Sequence, residues 1–210
     1  MKKLGFGTMR LPLINPEDKT SIDQNYFNQL VDKFIEKGFN YFDTAYPYHD
    51  EKSEGAIKKA LTERYDRKDY IIADKMPTIL VKSGDEYPMY FNRQLERTGV
   101  EYFDYYLMHN MGKDRYAKTT EFGGFEFAEE MKKEAAAKEK TNKRKIRKFG
   151  FSFHDDAETL DRILTEHPDV DFVQLQINYF DWNNKIIQSH LCYETAVRHG
   201  KPIIVMEPVK

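Results

Sequence analysis

The sequence predicts an α/β chain folded as a (β/α)8 TIM barrel, incomplete at its C-terminus, with about seven strands present. Three observations predict it. Short β-rich runs alternate with longer amphipathic stretches at roughly 30 residues per unit, the signature of βα units and a parallel sheet. The run Phe172–Asn178 sets Gln174, Gln176 and Asn178 on one face and Val173, Leu175 and Ile177 on the other. Strands late in a βα series are covered on both faces, so these amides face a barrel interior and need partners there. Finally, the first strand carries Gly5-Phe6-Gly7-Thr8-Met9, without the third glycine or the directly following helix of a doubly wound nucleotide binder.

The elements follow in order. Leu4–Thr8 reads as the first strand, and Gln24–Glu36 as a helix closed by Gly38. Phe39–Thr44 is the second strand, with a helical pattern over Glu51–Arg64. Tyr70–Lys75 and the helix Tyr87–Arg97 come next, ending in the turn Thr98-Gly99. The fourth strand is Phe103–His109, followed by a helix over Phe125–Lys140. Ile146–Phe153 is the fifth strand, and Asp155-Asp156 caps the helix Ala157–Glu166. Phe172–Asn178, the helix Lys185–His199 closed by Gly200, and the strand Pro202–Glu207 complete the series. A full barrel takes about 250 residues. Residues 1–210 therefore read as a single barrel domain that stops before the eighth strand, and its open edges predict self-association.

One segment departs from the pattern. Residues 132–145 form a charged helical insertion or linker-like stretch, in which Glu134–Lys138 spells Glu-Ala-Ala-Ala-Lys. It reads equally as a natural helix extension or an inserted spacer. The run Lys132–Lys148 holds nine basic and two acidic residues but no interleaved aromatics, so it predicts a solvated helix face rather than a nucleic-acid or membrane patch.

Composition bounds the function. Lys and Arg number 33 against 35 Asp and Glu, which excludes a globally basic nucleic-acid binder. Cys192 is the one cysteine, so no intramolecular disulfide or thiolate metal cage forms, and no His-Glu-x-x-His spacing predicts a metal site. No apolar run approaches the roughly 20 residues of a membrane span, and the N-terminus lacks a signal-peptide core. A cytoplasmic protein is expected.

Chemistry-bearing residues gather at successive strand ends: Asp43 to His49 after the second strand, Asp74-Lys75 on the third, His109-Asn110 on the fourth. A lysine finishing an apolar strand needs a counter-charge, and Asp43 supplies it. A phenol with a pKa of about 10 is a weak acid at neutral pH. A neighbouring ammonium stabilises the phenolate and lowers that value, and a histidine nearby orients a carbonyl oxygen. Such a cluster suits carbonyl reduction, with a hydride from a cofactor and a proton from tyrosine. Spacing alone leaves Tyr46 competing with Tyr48 for the acid's role.

The segments Phe42–Tyr48, Asp74-Lys75 and Leu107–Asn110 resemble the aldo/keto reductases, and the resemblance runs from Leu4–Arg10 to Met206-Glu207-Pro208. It implies a (β/α)8 barrel, the cofactor NADP(H), a small carbonyl substrate and a tetrad of Asp43, Tyr48, Lys75 and His109. The family's five-residue step from the aspartate picks Tyr48. It further implies that Ser152 and Gln174 meet the nicotinamide carboxamide, that Gly7, Thr8 and Met9 lie beside the cofactor, and that Met206 stands where many members stack an aromatic ring. Phe153 after Ser152 replaces the usual asparagine. Phrases such as Tyr46-Pro47-Tyr48-His49 and Val205-Met206-Glu207-Pro208 look most like the branch with a C-terminal iron–sulfur tail, which is absent here, so no cluster is expected. His49, with His154, is expected to flank the substrate mouth, and Trp182 reads equally as lining the pocket or as aromatic loop packing. His167, His190 and His199 read as surface residues and Cys192 as a buried apolar one. A non-catalytic, cofactor-binding regulatory barrel and a catalytically impaired or engineered barrel fragment are the alternative readings.

Overall fold

The computed structural model describes residues 3–133 and 145–209. Seven parallel strands run side by side in chain order. They are β1 (Gly5–Gly7), β2 (Tyr41–Asp43), β3 (Ile71–Met76), β4 (Phe103–Met111), β5 (Ile146–Phe153), β6 (Phe172–Gln176) and β7 (Ile203–Met206). Helices α1 (Gln24–Glu36), α2 (Ser53–Ile57), α3 (Glu86–Thr98), α4 (Lys113–Glu121), α5 (Gly124–Lys133), α6 (Ala157–Glu166) and α7 (Ser189–Arg198) fill the crossovers. Each predicted strand is present, with ends shifted by no more than two residues.

The sheet is rolled. Gln174 on β6 donates to Asp43 on β2 over 3.0 Å. In a flat sheet, strands four places apart would stand about 19 Å from one another. Among the described residues β1 and β7 each pair on one side only, so the barrel is open between them. Inside it, alternate strands supply one layer: Tyr41 meets Tyr105 at 5.4 Å and Tyr105 meets Phe172 at 5.1 Å between ring centroids. Ala73 and Leu107 pack with Phe172 in the same interior cluster. The larger core lies between sheet and helices, where Phe27, Val31, Phe91, Leu160 and Ile163 meet Phe42, Ile72, Tyr106, Phe149 and Val173. Each such fully buried side chain contributes roughly 1.5–3 kcal/mol.

Two helices start later than expected, each for a backbone reason. The pattern over Glu51–Arg64 begins only at Ser53, because His49, Asp50 and Glu51 adopt left-handed backbone at φ of 53°, 47° and 68°. It then loosens into a π-helical turn at Lys58–Thr62. Gln188, at φ 50°, likewise delays the last helix to Ser189. Unforeseen, α4 is a polar helix that buries only Tyr116 and Thr119, too few positions to show a period. Most of the charged segment 132–145, and the end of the helix expected to reach Lys140, lie outside the described residues. Among those described, no helix is long and apolar enough to cross a membrane.

Candidate active site

Strand alternation carries three polar side chains to one rim. Asp43 follows Tyr41 on the inner face of β2, Lys75 follows Ala73 on β3, and His109 follows Leu107 on β4. Tyr48 arrives on the turn after β2. The Lys75 side chain is 2% exposed and forms an ion pair with Asp43. Its Nζ also donates to the Thr44 carbonyl at 2.8 Å and stands 3.4 Å from the Tyr48 hydroxyl. The second oxygen of Asp43 accepts from Gln174 at 3.0 Å, which fixes the carboxylate from both sides. The His109 ring meets the Tyr48 ring edge to face, 5.8 Å between centroids.

These neighbours set the protonation states. Burial alone would lower the Lys75 pKa, but Asp43 and Tyr48 outweigh it, so the ammonium stays charged well past the ordinary lysine range. Burial, reinforced by the Lys75 charge, holds His109 down to about 3, so its imidazole is neutral. Tyr48 corrects an expectation. Lys75 does pull the phenol toward ionisation, yet burial pushes harder, and the resting pKa lies above the ordinary tyrosine value. The cost of desolvating a phenolate exceeds the attraction of an ammonium already neutralised by Asp43.

The two competing tyrosines part company in space. Tyr46 is 1% exposed and turns toward α3. Its hydroxyl accepts from Arg93 at 2.9 Å, and the Arg97 guanidinium lies 4.6 Å from its ring centre. Tyr48 is the one that faces Lys75.

The Aldo/keto reductase family model matches residues 3–210. The chain belongs to the aldo/keto reductase family. It is similar to 4-dihydromethyl-trisporate dehydrogenase of Mucor mucedo, with 37% identity over 90 residues, or 42% of this chain and 28% of that protein. Its fold matches aldo-keto reductase AKR11C1 from Bacillus halodurans in the holo form, with TM-score 0.67, 22% identity, and coverage of 98% of this chain and 61% of that one. It also matches an aldo-keto reductase from Klebsiella pneumoniae in complex with NADPH, with TM-score 0.64, 20% identity, and coverage of 97% and 62%. The chain thus spans under two thirds of the length of each of these relatives.

In this member of the family the residues expected at the cofactor are in mixed condition. Ser152 and Gln174 stand opposite each other on β5 and β6. The Ser152 hydroxyl accepts from the Asn110 amide at 2.7 Å. Gln174 Oε1 is buried with no hydrogen-bond partner among the described residues, an acceptor free for an incoming donor. Gly7 is open, with nothing within 4 Å of the space a Cβ would take, and Met9 is exposed. The Thr8 hydroxyl is already spent, bonded to the Asp43 carbonyl at 3.1 Å and to Ser53 at 2.7 Å. Half-buried Met206 lies opposite Gln176 at the end of β7. The other two amides, Gln176 at the end of β6 and Asn178 just beyond it, have found a partner: both donate to Asp181 at 2.8 Å.

One residue expected at the substrate mouth serves packing instead. His49 is buried, with the Leu11 amide donating to Nε2 at 3.0 Å and the Lys19 carbonyl 2.8 Å from Nδ1, so neither ring nitrogen is left for a substrate. Trp182 packs on α7, its ring 4.7 Å from His190 and 5.8 Å from Tyr193. His167, expected at the surface, stacks on Phe125 at 3.8 Å. Burial raises the Cys192 thiol to about 12, away from the range of a reactive thiolate.

The sequence reading missed two features of the rim. Asn110 adopts φ 56° where β4 bulges away from β5. The left-handed run after Tyr48 contains no glycine, and each of its residues costs about 1–2 kcal/mol relative to ordinary backbone. Asp50 was its one local signal, since aspartate tolerates that region.

Proposed function

We propose that this chain carries the proton-transfer apparatus of an NADP(H)-dependent carbonyl reductase, acting on an aldehyde or ketone with Tyr48 as the acid. The observation that carries the reading is the Tyr48 hydroxyl 3.4 Å from a buried Lys75 whose charge is held by Asp43. The residues present fit the cofactor. The orphaned Gln174 Oε1 suits the amide protons of a nicotinamide carboxamide, with Ser152 beside it, and Gly7 and Met9 leave open surface at the end of β1. NADPH, when bound, supplies the hydride.

The side chains then divide the remaining work. Neutral His109 orients the carbonyl through a ring N–H, because an imidazole held down to about 3 does not compete for the proton. Burial keeps Tyr48 protonated in the resting site. Negative charge developing on the carbonyl oxygen makes that atom far more basic than a phenolate, and the Tyr48 proton moves to it. Lys75 stabilises the phenolate left behind, and Asp43 keeps Lys75 in place. The elevated resting pKa therefore suits an acid that must not ionise early.

Tyr48→Phe tests this. NADPH oxidation should proceed with a panel of small aldehydes and ketones and fall by about 10²–10⁴ in the variant, with circular dichroism unchanged. Equal turnover in both proteins would refute the assignment. Cofactor binding without turnover on any carbonyl would favour a regulatory barrel.

A further inference from the structure

We propose that Arg97 is a positioning residue for the Tyr48 hydroxyl, acting through the left-handed turn that follows it; the proposal rests on reading Tyr48 as the proton donor. Two amides close that turn, Lys52 N–H to the His49 carbonyl at 3.0 Å and Ser53 N–H to the Tyr48 carbonyl at 3.2 Å. With three consecutive non-glycine residues in the left-handed region, it does not hold itself and must be held from outside.

The structure shows two outside holds. His49 fastens one side of the turn to Leu11 and Lys19. Arg97, from the last turn of α3, fastens the other. One arm of its guanidinium donates to the Glu51 backbone carbonyl, the second lies 3.2 Å from the Glu51 carboxylate, and Nε stands 3.0 Å from Glu54 Oε2. Glu54 is fully buried and is itself held by Gln94 at 3.2 Å. Gln94 sits one turn earlier on α3 and also donates to the Lys75 carbonyl at 3.0 Å. Asp74 accepts from the Lys75 amide at 2.8 Å on the same outer side of the sheet. One face of α3 therefore touches both the strand end that carries Lys75 and the turn that carries Tyr48. It sets the distance between ammonium and phenol without touching either reacting group. A planar fork makes these three contacts at once; a lysine at the same position supplies charge but not the fork.

The test uses the full chain as wild type, Arg97→Lys and Arg97→Met. Amide hydrogen exchange is read at Lys52 and Ser53 against β4 amides as internal reference, and kcat and KM are measured for NADPH-dependent reduction of a small aldehyde. In Arg97→Met, exchange at Lys52 and Ser53 should quicken by about tenfold or more while β4 is unchanged. Its kcat should fall by about 100-fold with KM within about threefold, as expected for a misplaced acid. Arg97→Lys should fall between. Unchanged protection at Lys52 and Ser53, a loosened turn with wild-type kcat, or quickening throughout the molecule would each overturn the proposal. If the wild type turns over no carbonyl, the functional reading fails by itself. Exchange then decides the clamp: lost protection in Arg97→Met supports it, and retained protection overturns it.

Discussion

His109→Gln should make the protein less sensitive to acid, and the size of the effect can be worked from the site. In the folded chain burial, then the Lys75 charge, hold the imidazole down to about 3, against an ordinary value of 6.5. The unfolded chain therefore binds a proton at residue 109 that the folded chain refuses, so acid favours unfolding. The contribution is absent above the unfolded pKa and grows by about 1.4 kcal/mol per pH unit below it, until the folded pKa is reached. At pH 5 it amounts to about 2 kcal/mol, and solvent at the open rim trims this to between about 1 and 2. Urea titrations of wild type and variant at pH 8 and pH 5 measure it. The stability difference between the two proteins should move by that amount in the variant's favour on acidification. Glu54 and Asp74, raised by burial, work in the opposite direction, but they are common to both proteins and cancel. Parallel pH dependences would refute the claim that residue 109 is held as a neutral ring beside a cation.

Three further outcomes follow from the same structure. Lys75→Met should cost about 3–5 kcal/mol in urea unfolding, because it leaves the Asp43 carboxylate facing a methyl group where an ammonium stood. Gly150→Ala should lower stability by about 1–3 kcal/mol or more, read as a drop in Tm, since its new Cβ would overlap the Phe172 carbonyl and ring on the adjacent strand. Cys192 should resist thiol reagents at pH 8 in the folded chain and react fully in urea, as expected for a thiol 3% exposed and raised to about 12.

What the sequence determined by itself was local and periodic. Alternation placed Asp43, Lys75 and His109 on the inner face of their strands, and parallel pairing in chain order then had to bring those strand ends to one rim. The amides of β6 marked the interior for the same reason, since a polar face on a strand covered on both sides needs a partner. Tertiary structure decided whatever depended on segments far apart in the chain. Spacing alone left Tyr46 level with Tyr48, and only the family resemblance chose between them; in the fold Arg93, forty-seven positions after Tyr46, takes one hydroxyl while the other faces Lys75. His49 became a staple because Leu11 and Lys19 offered backbone groups to both ring nitrogens. The Tyr48 pKa went up rather than down because desolvation depends on everything packed around a group, whereas a sequence shows only which charges are available to it. Periodicity reports the face a side chain occupies, but its partners there are set by the folding of distant chain around it.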